Sequence, residues 1–546
     1  MLADVGRDMD RRSALGALQS GETFDILIIG GGATGCGIAV DAASRGLKAA
    51  LVERNDFAEG ASSRSTKLVH GGVRYLELAI RRLDRAQYNL VREGLRERSV
   101  FLKNAPHLAR RLPLISPLYR WLDIPYIFAG LRIYDLLAGK FGIGGSRLLS
   151  RAETLRRCPM LKAEGLKAGV LYYDGQFSDA RMALTLALTA AELGAAIASR
   201  VEFVGLRQEG GKLTGAMVLD RETGARWDIG ARSVINAAGP FSDSVRLMAD
   251  PEATPIVRAS SGVHIVVDKR FAPADAGLMV PRTEDGRVLF ILPWQGHALI
   301  GATDEPAGIE DHPRPRQEAI AYLLRHARRY LSVEVSEKNI LSVWSGLRPL
   351  VNDPKVTDTA RLARDYLIEV GTSGLITICG GKWTTYRKMA EDAVNDAVAR
   401  FNLSPKCGCR TADLPLAGAP NFDANGGVET LRSVFALDLD VAAHLYHAYG
   451  DRAQMVMKCA AENGAVRLHP AHPYIEAEVL YAARFEAALS AMDVIARRLP
   501  LAFLDREAAR GVAARVIELL AAELGWDRRR CAAESAEAER RLTEAI

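Results

Sequence analysis

Apolar residues recur along this chain in two spacings and in a few solid runs, and each arrangement predicts a different element. The runs Ile26-Leu27-Ile28-Ile29, Ala50-Leu51-Val52, Ser233-Val234-Ile235 and Leu375-Ile376-Thr377-Ile378 are short, uninterrupted and followed by turn residues or an acid, so they read as buried strands. Helical spacing covers about 78–103, where Pro106 marks the end, as well as 179–194, 316–331 and 384–400. Between 201 and 229 the runs Val201 to Leu206, Leu213 to Leu219 and Trp227 to Ile229 are separated by Glu209-Gly210-Gly211 and Glu222-Thr223-Gly224, the pattern of a meander. Further short strands are expected at Val263 to Asp268, Arg287 to Pro293 and Ala298 to Thr303. Beyond about 412 the chain is helix-rich and carries no chemistry motif.

The first strand runs into Gly30-Gly31-Gly32-Ala33-Thr34-Gly35, and the second ends at Glu53. In that order the residues describe a dinucleotide cradle. Gly30 permits the tight turn, Gly32 lets a pyrophosphate approach the backbone, and Gly35 allows close helix–strand packing. The helix N-terminus receives phosphate charge, and Glu53 is placed to accept ribose hydroxyls. A glycine-rich turn without a ligand is the competing reading. Two more strand-then-glycine segments, ending in Ala237-Ala238-Gly239-Pro240 and Cys379-Gly380-Gly381-Lys382, return the chain to the same place and favour FAD over NAD.

The expected fold is therefore α/β: an FAD-binding Rossmann-like, two-dinucleotide-binding-domain flavoprotein with a mixed-sheet substrate domain and an α-helical C-terminal domain. A polar tail at 1–20 precedes an oxidoreductase region at 21–400. Its FAD-binding parts are expected at about 21–105, 165–255 and 345–400, and its substrate-binding parts at about 106–164 and 256–344; the helical domain follows at 410–546. The 546 residues suit two to four such units.

Composition narrows the class. Lys plus Arg number 71 against 66 Asp plus Glu, a net charge of +5 that does not point to nucleic acid. Seven scattered cysteines form no disulfide framework, and Cys407-Gly408-Cys409 lacks the second pair a zinc site needs, so no metal is expected. No apolar run is long enough to span a bilayer. The segment Leu112 to Leu137 is unusual, because Pro113, Pro117 and Pro125 interrupt a run rich in Trp121, Tyr126, Phe128 and Tyr134, with Arg110, Arg111, Arg120 and Arg132 at its edges and within it. Aromatic and cationic side chains together suit peripheral contact with lipid headgroups, and an interdomain segment is the alternative.

Three segments carry a resemblance. Ser62 through Leu76 (SSRSTKLVHGGVRYL), Trp344-Ser345-Gly346-Leu347-Arg348-Pro349-Leu350 and Gly380-Gly381-Lys382-Trp383-Thr384-Thr385-Tyr386-Arg387 closely resemble the FAD-dependent glycerol-3-phosphate dehydrogenases. The mitochondrial-type branch is the nearer match, without its animal calcium-binding extension. The resemblance implies oxidation of sn-glycerol 3-phosphate to dihydroxyacetone phosphate by hydride transfer to FAD, with a membrane quinone as electron acceptor. It also implies peripheral attachment to the cytoplasmic face of a bacterial inner membrane, or to the mitochondrial inner membrane in a eukaryote, and a possible homodimer.

Site roles follow from the same resemblance. Arg74, Tyr75, Arg348 and Arg364 are expected to bind the phosphorylated substrate, since guanidinium forks match a phosphate dianion. His264, Arg348 and Lys382 are the catalytic candidates, with His264 or His70 available as a base near neutral pH. The cofactor is expected to meet Gly30, Gly32, Gly35, Glu53, Ser63, Thr66, Lys67, His70, Gly71, Gly239, Gly381, Lys382 and Thr384. A glycerol-3-phosphate oxidase using O₂, or an amine or amino-acid flavin oxidase, is the alternative activity.

Overall fold

The computed structural model describes residues 9–73, 76, 85–281, 283–284, 287–352, 365–460 and 464–544. Two sheets organise them. In the first, Phe24–Ile29 pairs in parallel with Ala49–Val52 on one side and with the second half of Arg226–Asn236 on the other; Ala196–Ala198 and Ile376–Gly380 extend the sheet outward. Both faces are covered, which is why its strands read as solid apolar runs. The helix Ala33–Ser44 leaves the first strand and is buried from Gly35 to Ser44, packed among Asp179–Glu192 and Tyr386–Phe401. A Cβ at Gly37 would stand 2.9 Å from the Tyr386 ring, so this glycine lets the last of those helices cross closely. The predicted meander is present as Val201–Glu209, Lys212–Asp220 and the first half of Arg226–Asn236.

The second sheet is mixed. Its long strands are Ala109–Leu118, Ala168–Phe177, Val257–Asp268 and Ile340–Val351. Side chains alternate between its faces with the period of two that a strand imposes. Ile115, Leu171, Ile265, Leu278 and Ile300 pack toward the helix Gln317–Tyr330. Leu114, Tyr172, Val266, Leu292 and Trp344 point the other way, toward the C-terminal helices. His264, in register with Gly301 and Trp344, shares that second face with Val266.

The segment 112–137 divides differently from its sequence-based reading. Its first part belongs to the strand Ala109–Leu118, where Leu112, Leu114, Ile115 and Leu118 are core residues. Pro113 and Pro117 flank Leu114 and Ile115, the two positions at which Gly277–Val280 joins this strand. Both prolines are in register with Tyr173 and Gly169 of Ala168–Phe177 on the other side, so it is only toward Gly277–Val280 that a missing N–H has no partner to lose. The second part is a helix, Asp123–Ala138, with Pro125 in its first turn, where an N–H has no intrahelical acceptor to lose. Proline thus conceals a strand and a helix here.

The C-terminal unit is helical, as expected, from Gly427–Phe435 to Arg528–Glu544. It docks on the mixed sheet through Phe503, 3% exposed, whose ring meets Trp344 edge-on at 5.4 Å. Among the described residues no helix is long and apolar enough to cross a membrane. Truncation of Phe503 to Ala should cost about 3–5 kcal/mol of stability. Leu247→Ala, at a side chain 42% exposed, should cost no more than about 0.5 kcal/mol. Urea midpoints of the two variants test this, and equal shifts would contradict the docking role given to Phe503.

Candidate active site

The glycine turn has the geometry its spacing predicts. Gly30 takes φ +109°, and a Cβ there would lie 2.7 Å from the Ala237 carbonyl, so the first and second strand-end turns touch backbone to backbone. A Cβ on Gly35 would lie 1.9 Å from the Gly30 oxygen. Gly32 caps the helix Ala33–Ser44, and Ser62 Oγ accepts the Ala33 N–H at 2.9 Å. Gly239 needs its positive φ of 58° rather than space. Glu53 is fixed at the strand end by the N–H groups of Gly31 (2.6 Å) and Asn55 (2.8 Å), which aim its carboxylate at the turn.

Two predicted cofactor contacts have other occupations. Lys67 is buried, and its ammonium donates to both Asp179 oxygens at 2.7 Å and to the Ser63 carbonyl at 2.6 Å. It also lies 4.8 Å from the Trp344 ring centre and 5.5 Å from that of Phe503. Its charge is spent inside the protein. Gly71 is a packing glycine: a Cβ would stand 2.7 Å from Leu95, and its N–H donates to Tyr134 Oη at 2.7 Å. Tyr134 in turn donates to Asp174, which Arg98 also holds at 2.7 Å.

A cavity of about 910 Å³ opens beside the glycine turn, at the upper end of the range for small-molecule sites. It brings together Thr66, His70, His264, Arg348, Lys382 and Thr384. Thr384 Oγ1 is within hydrogen-bonding distance of the His70 backbone, which ties the third glycine turn to the loop after the first. Gly381, at φ +75°, leaves no room for a Cβ, which would sit 2.4 Å from Met389 Sδ. Arg74, Tyr75 and Arg364 lie outside the described residues.

His264 forms one wall. Its ring stacks on Trp344 at 4.2 Å, and Nε2 lies 2.9 Å from Thr66 Oγ1. Burial, reinforced by the Arg348 and Lys67 cations, holds its pKa well below the ordinary 6.5, so it stands neutral. Arg348 donates to the Thr303 carbonyl at 2.9 Å and sits 3.5 Å from Asp304, itself hydrogen-bonded by Ser260. A Cβ on Gly262 would lie 2.3 Å from Arg348 Nη2, so that glycine makes the space the guanidinium occupies. Thr303, Asp304, Gly262 and Arg64 all line the cavity without having been anticipated. Arg64 lies within the Ser62 to Leu76 segment that carries the resemblance and Thr303-Asp304 stand at a strand end, but neither signal gave these residues a role of their own.

The opposite side of the cavity is apolar. Tyr126, Ile127, Leu131 and Ile133 of the helix Asp123–Ala138 contribute to it, together with Val73 and Val288. Trp121, Leu122 and Leu136, in and just before the same helix, are 68%, 75% and 76% exposed.

Comparison with known proteins follows this geometry. The FAD dependent oxidoreductase family matches residues 25–387, and the C-terminal domain of alpha-glycerophosphate oxidase matches residues 409–531. A probable mitochondrial glycerol-3-phosphate dehydrogenase of Caenorhabditis elegans is 49% identical over 526 residues, 94% of this chain and 73% of that protein. The mitochondrial glycerol-3-phosphate dehydrogenase of Rattus norvegicus is 48% identical, over 96% of this chain and 74% of that one. The crystal structure of the glycerol-3-phosphate dehydrogenase from Bacillus halodurans complexed with FAD superposes with a TM-score of 0.80 at 28% identity, covering 98% of both chains.

The depressed pKa of His264 has a thermodynamic sign. Its neutral form is favoured by the fold, so the associated stability is complete above pH 6.5 and is lost as pH falls below it. His312, held at about 4, contributes in the same direction, so the test is differential. Melting temperatures at pH 7.5 and 5.0 should fall less with acid in His264→Asn than in the parent. An equal fall would remove His264 from the linkage.

Proposed function

Since the chain belongs to the FAD-dependent glycerol-3-phosphate dehydrogenases, a branch of the FAD dependent oxidoreductases, we propose that it oxidises sn-glycerol 3-phosphate to dihydroxyacetone phosphate and delivers the electrons to a membrane quinone. One observation carries the reading: a single cavity joins the dinucleotide turn to a neutral histidine and an anchored arginine. The residues fit FAD. Gly32 leaves the space that a side chain would fill beside Ser62 Oγ, and the N-terminus of a buried helix faces that space.

FAD, when bound, supplies the acceptor for the hydride leaving C2. The protein's task is to bind the phosphate, orient C2 and take the hydroxyl proton. Arg348 suits a phosphate dianion by its fork geometry, and Thr303 and Asp304 hold it in place. Arg74, Tyr75 and Arg364 complete the phosphate pocket in this reading. His264 takes the hydroxyl proton on its neutral imidazole, and Thr66 and Trp344 keep the ring in orientation. Lys382, at the mouth of the turn before Tyr386–Phe401, stabilises negative charge on the oxygen that becomes the carbonyl.

The quinone, rather than O₂, is favoured by the helix Asp123–Ala138. One side of it lines the apolar part of the cavity, while exposed Trp121, Leu122 and Leu136 present a lipid-compatible surface with Lys140 and Lys167 beside aromatic rings. The protein accordingly sits peripherally on the cytoplasmic face of a bacterial inner membrane, or on the mitochondrial inner membrane in a eukaryote.

Anaerobic addition of glycerol 3-phosphate should bleach the flavin absorbance within the time of a turnover; an unbleached, FAD-loaded protein would refute the substrate. Arg348→Met should keep FAD and lose about 10–100-fold in kcat/KM, the range for one charge-assisted hydrogen bond. Kinetics matching the parent would refute its role. Trp121, Leu122 and Leu136 changed together to Ser should leave substrate-driven bleaching intact and abolish flotation with anionic liposomes. Undiminished flotation, or peroxide released at the rate of turnover in air, would overturn the membrane-quinone assignment.

A further inference from the structure

Between the cofactor turn and the C-terminal domain lies a buried cluster of charges that the proposed chemistry does not use. Asp56 and Glu59 follow the second strand, on the loop that leads to Ser62 and Thr66. Asp56 is 1% exposed and accepts hydrogen bonds from both Arg497 and Arg498. These two consecutive arginines converge on one carboxylate because Val494–Arg498 forms a π-helical turn, closed by the Leu499 N–H to the Val494 carbonyl. Glu59 pairs with Arg541 at 3.2 Å and with Arg497 at 3.4 Å. Asp493 pairs with Arg497 at 2.6 Å and with Arg200 at 2.7 Å. Arg541 belongs to Arg528–Glu544, the last helix, nearly five hundred residues from its partner.

The ledger of charge does not balance. Five guanidiniums, those of Arg64, Arg200, Arg497, Arg498 and Arg541, face the three carboxylates of Asp56, Glu59 and Asp493. Neighbouring Glu534 pairs with Arg530, and Asp311, paired with Arg54, acts on Arg64 only at longer range. His312 is held to about 4 and adds no charge at neutral pH.

The least satisfied member is Arg64. It is 5% exposed, lines the cavity and lacks a carboxylate partner among the described residues. Its guanidinium has one long contact, 3.4 Å to the Asp311 carbonyl, and its Nε has no partner. A buried cation left so poorly paired is costly unless a ligand completes it. Its place in the chain is between Ser62, which holds the N-terminus of the cofactor helix, and Thr66, which meets His264.

We propose that Arg64 is an FAD-binding residue, its guanidinium completed by negative charge on the cofactor, and that Arg497, Arg498 and Arg541 of the C-terminal domain position it by clamping Asp56 and Glu59. The C-terminal helices thereby form part of the flavin site without touching it. Either the pyrophosphate, charged throughout, or the ring, charged when reduced, offers the required anion.

Titration of apoprotein with FAD, in the absence of substrate, tests the proposal independently of the reaction assigned above. Arg64→Met should weaken FAD binding about tenfold or more, Arg64→Lys should recover part of the loss, and Arg541→Gln should reproduce it in smaller measure, about threefold. Loss equal for oxidised and reduced FAD identifies the pyrophosphate. A loss confined to reduced FAD identifies the ring and lowers the two-electron midpoint potential by ~30 mV for each tenfold. Affinity within twofold of the parent in both states, with the potential unchanged, would overturn the proposal. If Arg64→Met does not fold, the same parent-like result in Arg64→Lys and Arg541→Gln together overturns it.

Discussion

The buried ion pair of Lys67 and Asp179 is the constraint on which the site rests. Asp179 opens the helix that packs against the cofactor helix, and besides Lys67 it accepts from the Ser65 N–H and hydroxyl. Lys67 reaches back to the Ser63 carbonyl and stands among Trp294, Trp344 and Phe503. The pair therefore joins the loop, the first sheet's helices, the mixed sheet and the C-terminal domain at one point. Removing either partner would leave a buried charge uncompensated, a penalty of about 3–5 kcal/mol. In the proposed reading this loop faces a cofactor with one residue and a substrate with the next, and this pair fixes it in place.

The same loop is held a second time, further upstream, by arginines that arrive from the other end of the chain. Asp56 and Glu59 receive them, and Glu53 is held by its own two N–H donors. From Glu53 to Lys67 each acid or cation that the chain buries is thus matched from elsewhere, with Arg64 the exception. Rigidity around one under-matched cation is the arrangement that preorganised binding requires, because the reorganisation has been made during folding rather than on ligand arrival.

How far the sequence reveals this depends on whether a residue's role is local. The glycine turn was legible because its strand, glycine spacing and helix are contiguous in the chain, with Gly35 packing on Gly30, even though the atoms that exclude a side chain at Gly30 and Gly32 come from Ala237 and Ser62. His264 and Arg348 were found through a resemblance, and the structure brings both to the cavity. The ion pair of Lys67 was not legible, because a cation beside hydroxyls and glycines looks ligand-facing and its carboxylate lies 112 residues away. The packing at Gly71 was hidden for the same reason: Leu95 and Tyr134, which exclude a side chain there, come from other elements. The strand and helix within 109–138 were hidden by proline, which reads as a breaker but is tolerated where Gly277–Val280 does not pair with the strand and in a first helical turn. Asp304 and Gly262 both meet Arg348 across the sheet, a relation that no local pattern carries.

The helix Asp123–Ala138 lies between the solvent-facing apolar surface and the cavity. Its outward side chains meet solvent, its inward ones line the cavity, and Tyr134 accepts a hydrogen bond from Gly71 while donating to Asp174. Gly71 and Gly72 lie directly after His70, whose backbone is bonded to Thr384 at the third glycine turn. The Tyr134 hydroxyl thus contacts the backbone of the double glycine, and the residue before that pair contacts the third glycine turn. The apolar surface and the cavity therefore share a helix, and one hydrogen bond of 2.7 Å ties that helix to the double glycine.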